Sequence, residues 1–269
     1  MAQILRRGIK LYFANKNIED DMLMKLLEEI YERMKVINKI RPFEGVYLQQ
    51  ISQFFKIETT YSSNAIEGNT YTLEDTKVVL EDGITVGGHP LREFYEVEGH
   101  GKAYDYMFSL IKKRDLTEND ILYCHQLFSK NIPDFISPGE YRNIEVIISG
   151  SNKILPRAKD IPVKMKKYIE WMKKERETLH PTMFAADAHR QLVNIHPFTD
   201  GNGRISRLVM NTFLYQDKLF PISIPILRRT DYYNILERNN SKDFGKFIAE
   251  LELQTIKDLM RHLHLEFKT

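Results

Sequence analysis

Twelve consecutive residues, HPFTDGNGRISR from His196 to Arg207, carry the most distinctive combination of chemical groups in the chain. Gly201 and Gly203 allow the backbone to approach a ligand closely, and successive amides of such a turn can bind an anion. A helix that begins at this turn adds unpaired N–H groups and a dipole that also favour negative charge. Arg204 and Arg207, three residues apart on one face of that helix, suit a polyphosphate.

Two further residues of this stretch could act on a bound phosphate. Asp200 would repel phosphate unless a cation stood between them, so we infer that this carboxylate holds Mg²⁺. His196 ends the preceding helix and can accept a proton near neutral pH, which makes it the candidate general base. Each residue alone is common in ordinary helix–helix connections, but the whole set within twelve positions indicates a nucleotide site.

Other nucleotide and metal motifs are missing from the sequence. It contains no glycine-rich loop followed by Lys-Ser/Thr, no third glycine for a dinucleotide fingerprint, and no His-Glu-x-x-His run for zinc. The site must therefore be built around the loop at 196–207.

Apolar periodicity predicts helices over most of the chain that positions this loop. The predicted ranges are 17–35 with Asn17 as N-cap, 43–66, 72–83, 93–112, 118–130 and most of the chain after 163. The helix at 72–83 should open with a capping box between Thr72 and Asp75. In contrast, alternating apolar residues between 139 and 162 predict a β-hairpin. The predicted fold class is all-α with one β-hairpin.

Composition excludes several classes of protein. Hydrophobic residues make up 42% of the 269 positions, which is enough for a sizeable core, and the 39 basic and 37 acidic residues leave a net charge of only +2. This balance argues against nucleic acid or an anionic membrane as partner. We expect a cytoplasmic location, because no signal peptide or membrane-spanning run is evident and the single cysteine, Cys124, cannot form an internal disulfide.

The stretch from 196 to 207 resembles the signature of the Fic (Fido) family, His-x-Phe-x-Asp/Glu-Gly-Asn-Gly-Arg-x-x-Arg, at every fixed position. The resemblance implies a protein adenylyltransferase, which moves AMP from ATP to a Ser, Thr or Tyr hydroxyl of a target protein. It implies that His196 deprotonates the hydroxyl, that Asp200 holds Mg²⁺ on the α- and β-phosphates, and that Arg207 faces the γ-phosphate. The anion hole and phosphate contacts would come from Gly201, Asn202, Gly203 and Arg204.

A second stretch, Ser63-Asn-Ala-Ile-Glu67-Gly68, resembles the inhibitory signature of Fic proteins that carry an N-terminal inhibitory helix. Ser63 and Glu67 share a helix face, since they are four residues apart. The resemblance places this helix at about 46–68 and pairs Glu67 with Arg207, where the carboxylate would keep ATP from a productive pose.

Two further segments resemble ligand-contacting parts of the family. The predicted hairpin is similar to the flap, on which a target protein could dock as an added strand, and Val146 and Ile147 would border the nucleotide. The helix after Asp231 is similar to the adenine pocket, where Tyr233, Leu236 and Asn240 would contact the base or ribose. A structural hairpin and an ordinary amphipathic helix are the alternative interpretations.

These patterns divide the chain into an N-terminal helical region (1–115), a catalytic domain (116–253) and a C-terminal helix (254–269). Three other functions stay open: hydrolytic removal of AMP, transfer of another nucleotide or phosphate-linked group, and an interaction module with a vestigial pocket. A homodimer and self-modification are both compatible with the resemblance.

Overall fold

The computed structural model describes residues 21–267, which form ten α-helices and contain no β-strand. The helices are α1 (Asp21–Ile37), α2 (Gly45–Ile66), α3 (Leu73–Asp82), α4 (Leu91–Ser109), α5 (Glu118–Ser129), α6 (Ile161–Glu175), α7 (Pro181–Ile195), α8 (Asn202–Gln216), α9 (Arg229–Arg238) and α10 (Ser241–His262). Single 3₁₀ turns occupy 110–112, 158–160 and 226–228. The predicted N-cap Asn17 lies outside the described residues.

The ends of α3 follow the predicted local chemistry. The Thr72 side chain accepts a hydrogen bond from the Asp75 backbone N–H at 3.1 Å, and the Asp75 carboxylate accepts from the Thr72 N–H at 2.9 Å. Gly83 ends the helix in the left-handed conformation. The predicted capping box is therefore confirmed, and Thr117 and Asp120 form the same arrangement at the start of α5.

Helices α7 and α8 form the centre of the molecule. Helix α7 packs against α8 and α10, while α8 also contacts α2 and α4 from the N-terminal part of the chain. The apolar stripes on either side of the 196–201 loop are buried, including Phe184 and Leu192 before it and Ile205 and Val209 after it. Because both flanking helices belong to the core, the loop between them has fixed ends.

The segment expected to form a β-hairpin is irregular, so that part of the fold prediction is wrong. Arg142 is almost fully buried, and its guanidinium donates to the carbonyls of Ile144 and Pro156 in the two arms of the segment. A side chain thus bridges the arms where a backbone ladder would otherwise form. The apolar face of the alternation is also only partly covered, since Ile144 is 49% exposed and Val146 and Ile148 are half-buried.

The end of the chain also differs from expectation. Residues 254–262 are the second half of α10, a single 22-residue helix, and not a separate C-terminal helix. No helix within 21–267 is long and apolar enough to cross a membrane.

Candidate active site

The conformation of the loop between α7 and α8 is fixed by the Asn202 side chain and by two residues in the left-handed backbone conformation. His196 has φ = 51° and Gly201 has φ = 80°, which let the chain reverse between the helices. The buried Asn202 accepts a hydrogen bond from the Phe198 N–H and donates one to the Phe198 carbonyl, both at 2.9 Å. Asn202, which the resemblance assigns to the anion hole, therefore fastens the loop with its side chain, while its backbone N–H lies in the first turn of α8.

His125 of α5 is a further residue that holds the loop, and sequence reasoning missed it. Its Nδ1 accepts from the Gly139 N–H at 2.9 Å, so the proton lies on Nε2, which donates to the Asp200 carbonyl at 3.2 Å. The ring stacks on Phe198 with 3.7 Å between centroids. Burial lowers the pKa of His125 to about 4, which keeps this neutral tautomer at physiological pH.

His196 is partly buried at the mouth of this loop. Burial, helped by the nearby Arg142, lowers the pKa of His196 to about 4, although the Val193 carbonyl, Asp200 and Glu67 act in the opposite direction. The imidazole is therefore neutral at pH 7 and free to accept a proton, as the assignment of a general base requires.

Arg207 lies at the centre of a buried polar network. Its Nε donates to the Ser63 hydroxyl and its NH2 to the Ser63 carbonyl, both at 2.9 Å. The same NH2 donates to Glu67 Oε1 at 2.7 Å, and NH1 donates to the Tyr232 hydroxyl at 3.1 Å. The structure thus brings Ser63, Glu67 and Arg207 together, and this set includes the Glu67–Arg207 pair that the resemblance implied.

Glu67 stands at the C-terminal end of α2 and over the first turn of α8. Burial alone would raise its pKa, but Arg207 and Arg204 outweigh burial, so the pKa is lowered and the carboxylate is ionised. A Cβ atom at Gly203 would collide with Glu67 Oε1, so only glycine at 203 permits this approach. A negative side chain consequently occupies the anion-binding start of α8.

Asp200 and Arg204 belong to a ring of four charges with two residues of α4. Asp200 Oδ1 lies 3.3 Å from Arg204 NH2, and Arg204 NH1 lies 3.3 Å from Glu96 Oε1. Arg92 closes the ring, with Nε 3.2 Å from Glu96 Oε1 and NH2 2.9 Å from Asp200 Oδ2. Burial would raise the pKa of Asp200, but the arginines and the Gly201 N–H lower it, so Asp200 is ionised.

The donor set at Asp200 fits Mg²⁺ bound jointly with phosphate. No group of three or more His, Cys, Asp or Glu side chains in the described part of the chain could hold a metal by itself. Mg²⁺ is commonly bound through one carboxylate together with substrate phosphates and water. Asp200 is the carboxylate beside the anion-binding turn, and 44% of its side chain is exposed.

The residues assigned to the adenine pocket and flap have mixed surroundings. Tyr233 is 37% exposed and its hydroxyl donates to Glu67 Oε2 at 3.3 Å, whereas Leu236 is buried. Asn240 is the N-cap of α10, and its Oδ1 accepts from the N–H groups of residues 242 and 243. Val146 is partly buried and Ile147 projects into solvent.

Lys153, which sequence reasoning did not single out, ties the segment between Arg142 and Pro156 to α9. Its ammonium donates to the Leu236 carbonyl at 3.1 Å and to the Asn194 side chain. The segment between Arg142 and Pro156 is therefore attached to the loop at 196–201 through Arg142, and to α7 and α9 through Lys153.

Comparison with known proteins identifies relatives of this chain. Residues 115–214 match the model of the Fic/DOC family. Protein adenylyltransferase Fic of Drosophila melanogaster is 36% identical over 252 residues, which are 90% of this chain and 50% of the relative. The chain therefore spans about half the length of the curated relatives it matches.

Two solved structures share the fold. A Fic domain containing signaling protein from Bacteroides thetaiotaomicron superposes with a TM-score of 0.79 at 25% identity, over 89% of this chain and all of that one. Fic-1 from C. elegans superposes with a TM-score of 0.77 at 26% identity, over 88% of this chain and 71% of that one. The chain belongs to the Fic/DOC family, and it is a homologue of protein adenylyltransferases.

Proposed function

We propose that this protein transfers AMP from ATP to a hydroxyl group of a target protein, and that Glu67 restrains the transfer. The observation that carries the proposal is the placement of one neutral imidazole, one anion-binding helix start and two buried arginines within the twelve residues 196–207. Homology to protein adenylyltransferases supports it. The catalytic part is proposed to be 116–253, and the inhibitory helix to be α2 within the N-terminal 115 residues.

In the proposed reaction, His196 takes the proton from the target hydroxyl as its oxygen attacks the α-phosphorus of ATP. The bond between the α-phosphorus and the bridging oxygen breaks, and pyrophosphate leaves. The backbone N–H groups at Gly201–Gly203, with Arg204 and Arg207, bind the phosphates and offset developing charge. Mg²⁺, held by Asp200, would neutralise charge on the α- and β-phosphates. Tyr233, Leu236 and Asn240 are proposed to surround the adenosine, and Val146 and Ile147 to border it.

The target is proposed to dock on the segment between Arg142 and Pro156. Although this segment forms no hairpin, Arg142 satisfies carbonyls in both of its arms, and the exposed Ile147 and Ile154 offer apolar contacts. An extended target backbone could pair with it and bring its hydroxyl over His196. Self-modification of this chain is the simplest reaction to detect, since it needs no knowledge of the target.

Two labelled forms of ATP distinguish the proposal from transfer of a different group. With Glu67→Gly protein, label on the α-phosphate should appear on protein, whereas label on the γ-phosphate should not. His196→Ala in the same background should reduce incorporation by about 10²–10⁴-fold, the usual contribution of a general base. Protein labelled from the γ-phosphate would contradict AMP transfer, and undiminished labelling by His196→Ala would contradict the role of the base.

Hydrolytic removal of AMP is the second candidate function. The ionised Glu67 lies beside the site and could orient a water molecule in place of the target hydroxyl. In that case Glu67→Gly should lose the ability to release AMP from a modified protein, instead of gaining the ability to attach it. Measuring both directions with the same pair of proteins separates the two candidates.

A further inference from the structure

Arg92 of α4 is the ionic partner of one oxygen of the Asp200 carboxylate. Asp200 Oδ1 already accepts hydrogen bonds from the Gly201 N–H at 2.6 Å and from Arg204 at 3.3 Å. The other oxygen, Oδ2, accepts from Arg92 NH2 at 2.9 Å. A cation that binds at Oδ2 would therefore meet the positive charge of an arginine that lies outside the family match at 115–214.

The two arginines that hold Asp200 differ in how firmly they are fixed. The Arg204 side chain is 4% exposed, lies over the Phe128 ring and pairs with the nearly buried Glu96. The Arg92 side chain is 46% exposed, and its second partner is the same Glu96. Arg92 can thus move into solvent, or keep its contact with Glu96, while Arg204 stays in place.

We propose that Arg92 is a positioning residue that acts through Asp200: it holds the carboxylate in the absence of a divalent cation and must leave when the cation binds. The inference rests on the proposed function, because it takes Asp200 as the metal-binding carboxylate. Arg92 is then the second charged residue of the N-terminal region, after Glu67, that pairs with a residue of the stretch 196–207. Glu67 places an anion on Arg207, the proposed partner of a phosphate, and Arg92 places a cation on Asp200, the proposed holder of the metal.

The expected effect is modest, because both partners are partly exposed to water. Ion pairs of this kind contribute little, so losing Arg92 should tighten divalent-cation binding by about two- to fivefold. A rearrangement of the protein would not be needed, since Asp200 keeps its contacts to Gly201 and Arg204.

The test measures binding of Mn²⁺, a paramagnetic substitute for Mg²⁺, from the loss of the free-ion resonance signal in the presence of ADP. ADP is used because it lacks the phosphate that would compete with Glu67. Arg92→Gln should bind Mn²⁺ about two- to fivefold more tightly than the parent. Arg114→Gln is the matched control, since Arg114 is an exposed arginine that pairs with Glu177 away from the site, and it should bind Mn²⁺ as the parent does.

A double-mutant cycle tests whether the effect passes through Asp200. In an Asp200→Asn background, Mn²⁺ binding should be weakened and Arg92→Gln should bring no further change. Equal Mn²⁺ affinity of parent and Arg92→Gln, or an equal gain in Arg114→Gln, would overturn the inference. If label from the α-phosphate still appeared on protein, either result would contradict the role of Arg92 without contradicting AMP transfer. Failure of this inference and failure of the proposed function can therefore be distinguished. Unchanged Mn²⁺ binding by Asp200→Asn would overturn both this inference and the proposed metal role of Asp200.

Discussion

The contact between Glu67 and Arg207 predicts a difference between ATP and ADP that can be measured without any target protein. ATP carries a γ-phosphate that, in the proposed pose, needs the same guanidinium that Glu67 occupies at 2.7 Å. ADP lacks that phosphate and should not compete. Replacing Glu67 with glycine should therefore strengthen ATP binding and leave ADP binding nearly unchanged.

The size of the effect follows from the geometry of the pair. Arg207 is buried, and 27% of the Glu67 side chain is exposed. A hydrogen bond between charged groups in such surroundings contributes about 1.5–3 kcal/mol. Since each 1.4 kcal/mol is a factor of ten, the affinity for ATP should rise by about 10- to 100-fold. Ser63 and Tyr232 still hold Arg207 in the variant, so the arginine stays in position for the phosphate.

Isothermal titration of parent and variant with ATP and with ADP, at one fixed Mg²⁺ concentration, measures the effect. Glu67→Gln is the matched control: it keeps the shape and removes the charge, so its gain should be smaller than that of Glu67→Gly. The reasoning would be refuted if the affinities for ATP and ADP rose by the same factor, or if ATP binding did not change.

Two further predictions concern the buried network and the response to acid. Tyr232→Phe removes the hydroxyl that accepts a hydrogen bond from Arg207 NH1. In a Glu67→Gly background, KM for ATP should therefore rise about threefold or more while kcat changes little. An unchanged KM would contradict the idea that Tyr232 positions Arg207 for ATP. Burial also depresses the pKa of four histidines to about 3 or 4, so the stability associated with keeping them neutral is lost as pH falls below their unfolded pKa of about 6.5; they are His100, His125, His180 and His196. From pH 7 to pH 5 they should together remove about 7.5 kcal/mol of unfolding free energy, and Glu252, whose pKa burial raises to about 8, should restore about 2.5 kcal/mol. Urea unfolding at both pH values should show a net loss of about 5 kcal/mol, and equal stability would contradict the assignment.

The parts of the site that could be predicted from the sequence are those encoded within a short stretch. The loop at 196–207 carries its glycines, arginines, carboxylate and histidine within twelve positions, and the capping box at Thr72 depends only on the residue three places later. Local chemistry of this kind survives in almost any tertiary context.

The remaining parts depend on neighbours that are distant in the sequence. His125 is 75 positions from the Asp200 carbonyl that it contacts, and Arg92 is 108 positions from the carboxylate it holds. Alternation of apolar residues and the turn residues Gly150 and Asn152 predict a hairpin, but the buried Arg142 donates hydrogen bonds to carbonyls in both arms, where a backbone ladder would otherwise form. The Asn240 side chain caps α10, and the Asn202 side chain fastens the loop at 196–201. Both side chains therefore have structural contacts that their resemblance to ligand-binding residues does not reveal.

The continuity of helix α10 has a consequence for how the protein unfolds. Its first half packs on α7, where Phe244 stacks on His189 with 5.0 Å between ring centroids. Its second half packs on α1, where Lys257 lies 3.0 Å from Glu29. This single continuous helix therefore supports both α7, which leads into the loop at 196–201, and α1, the first helix of the described chain. If α10 unfolded, α7 and α1 would lose their packing together. The two helices therefore belong to one cooperative unit, and neither could be removed or replaced by its counterpart from a relative without weakening the other.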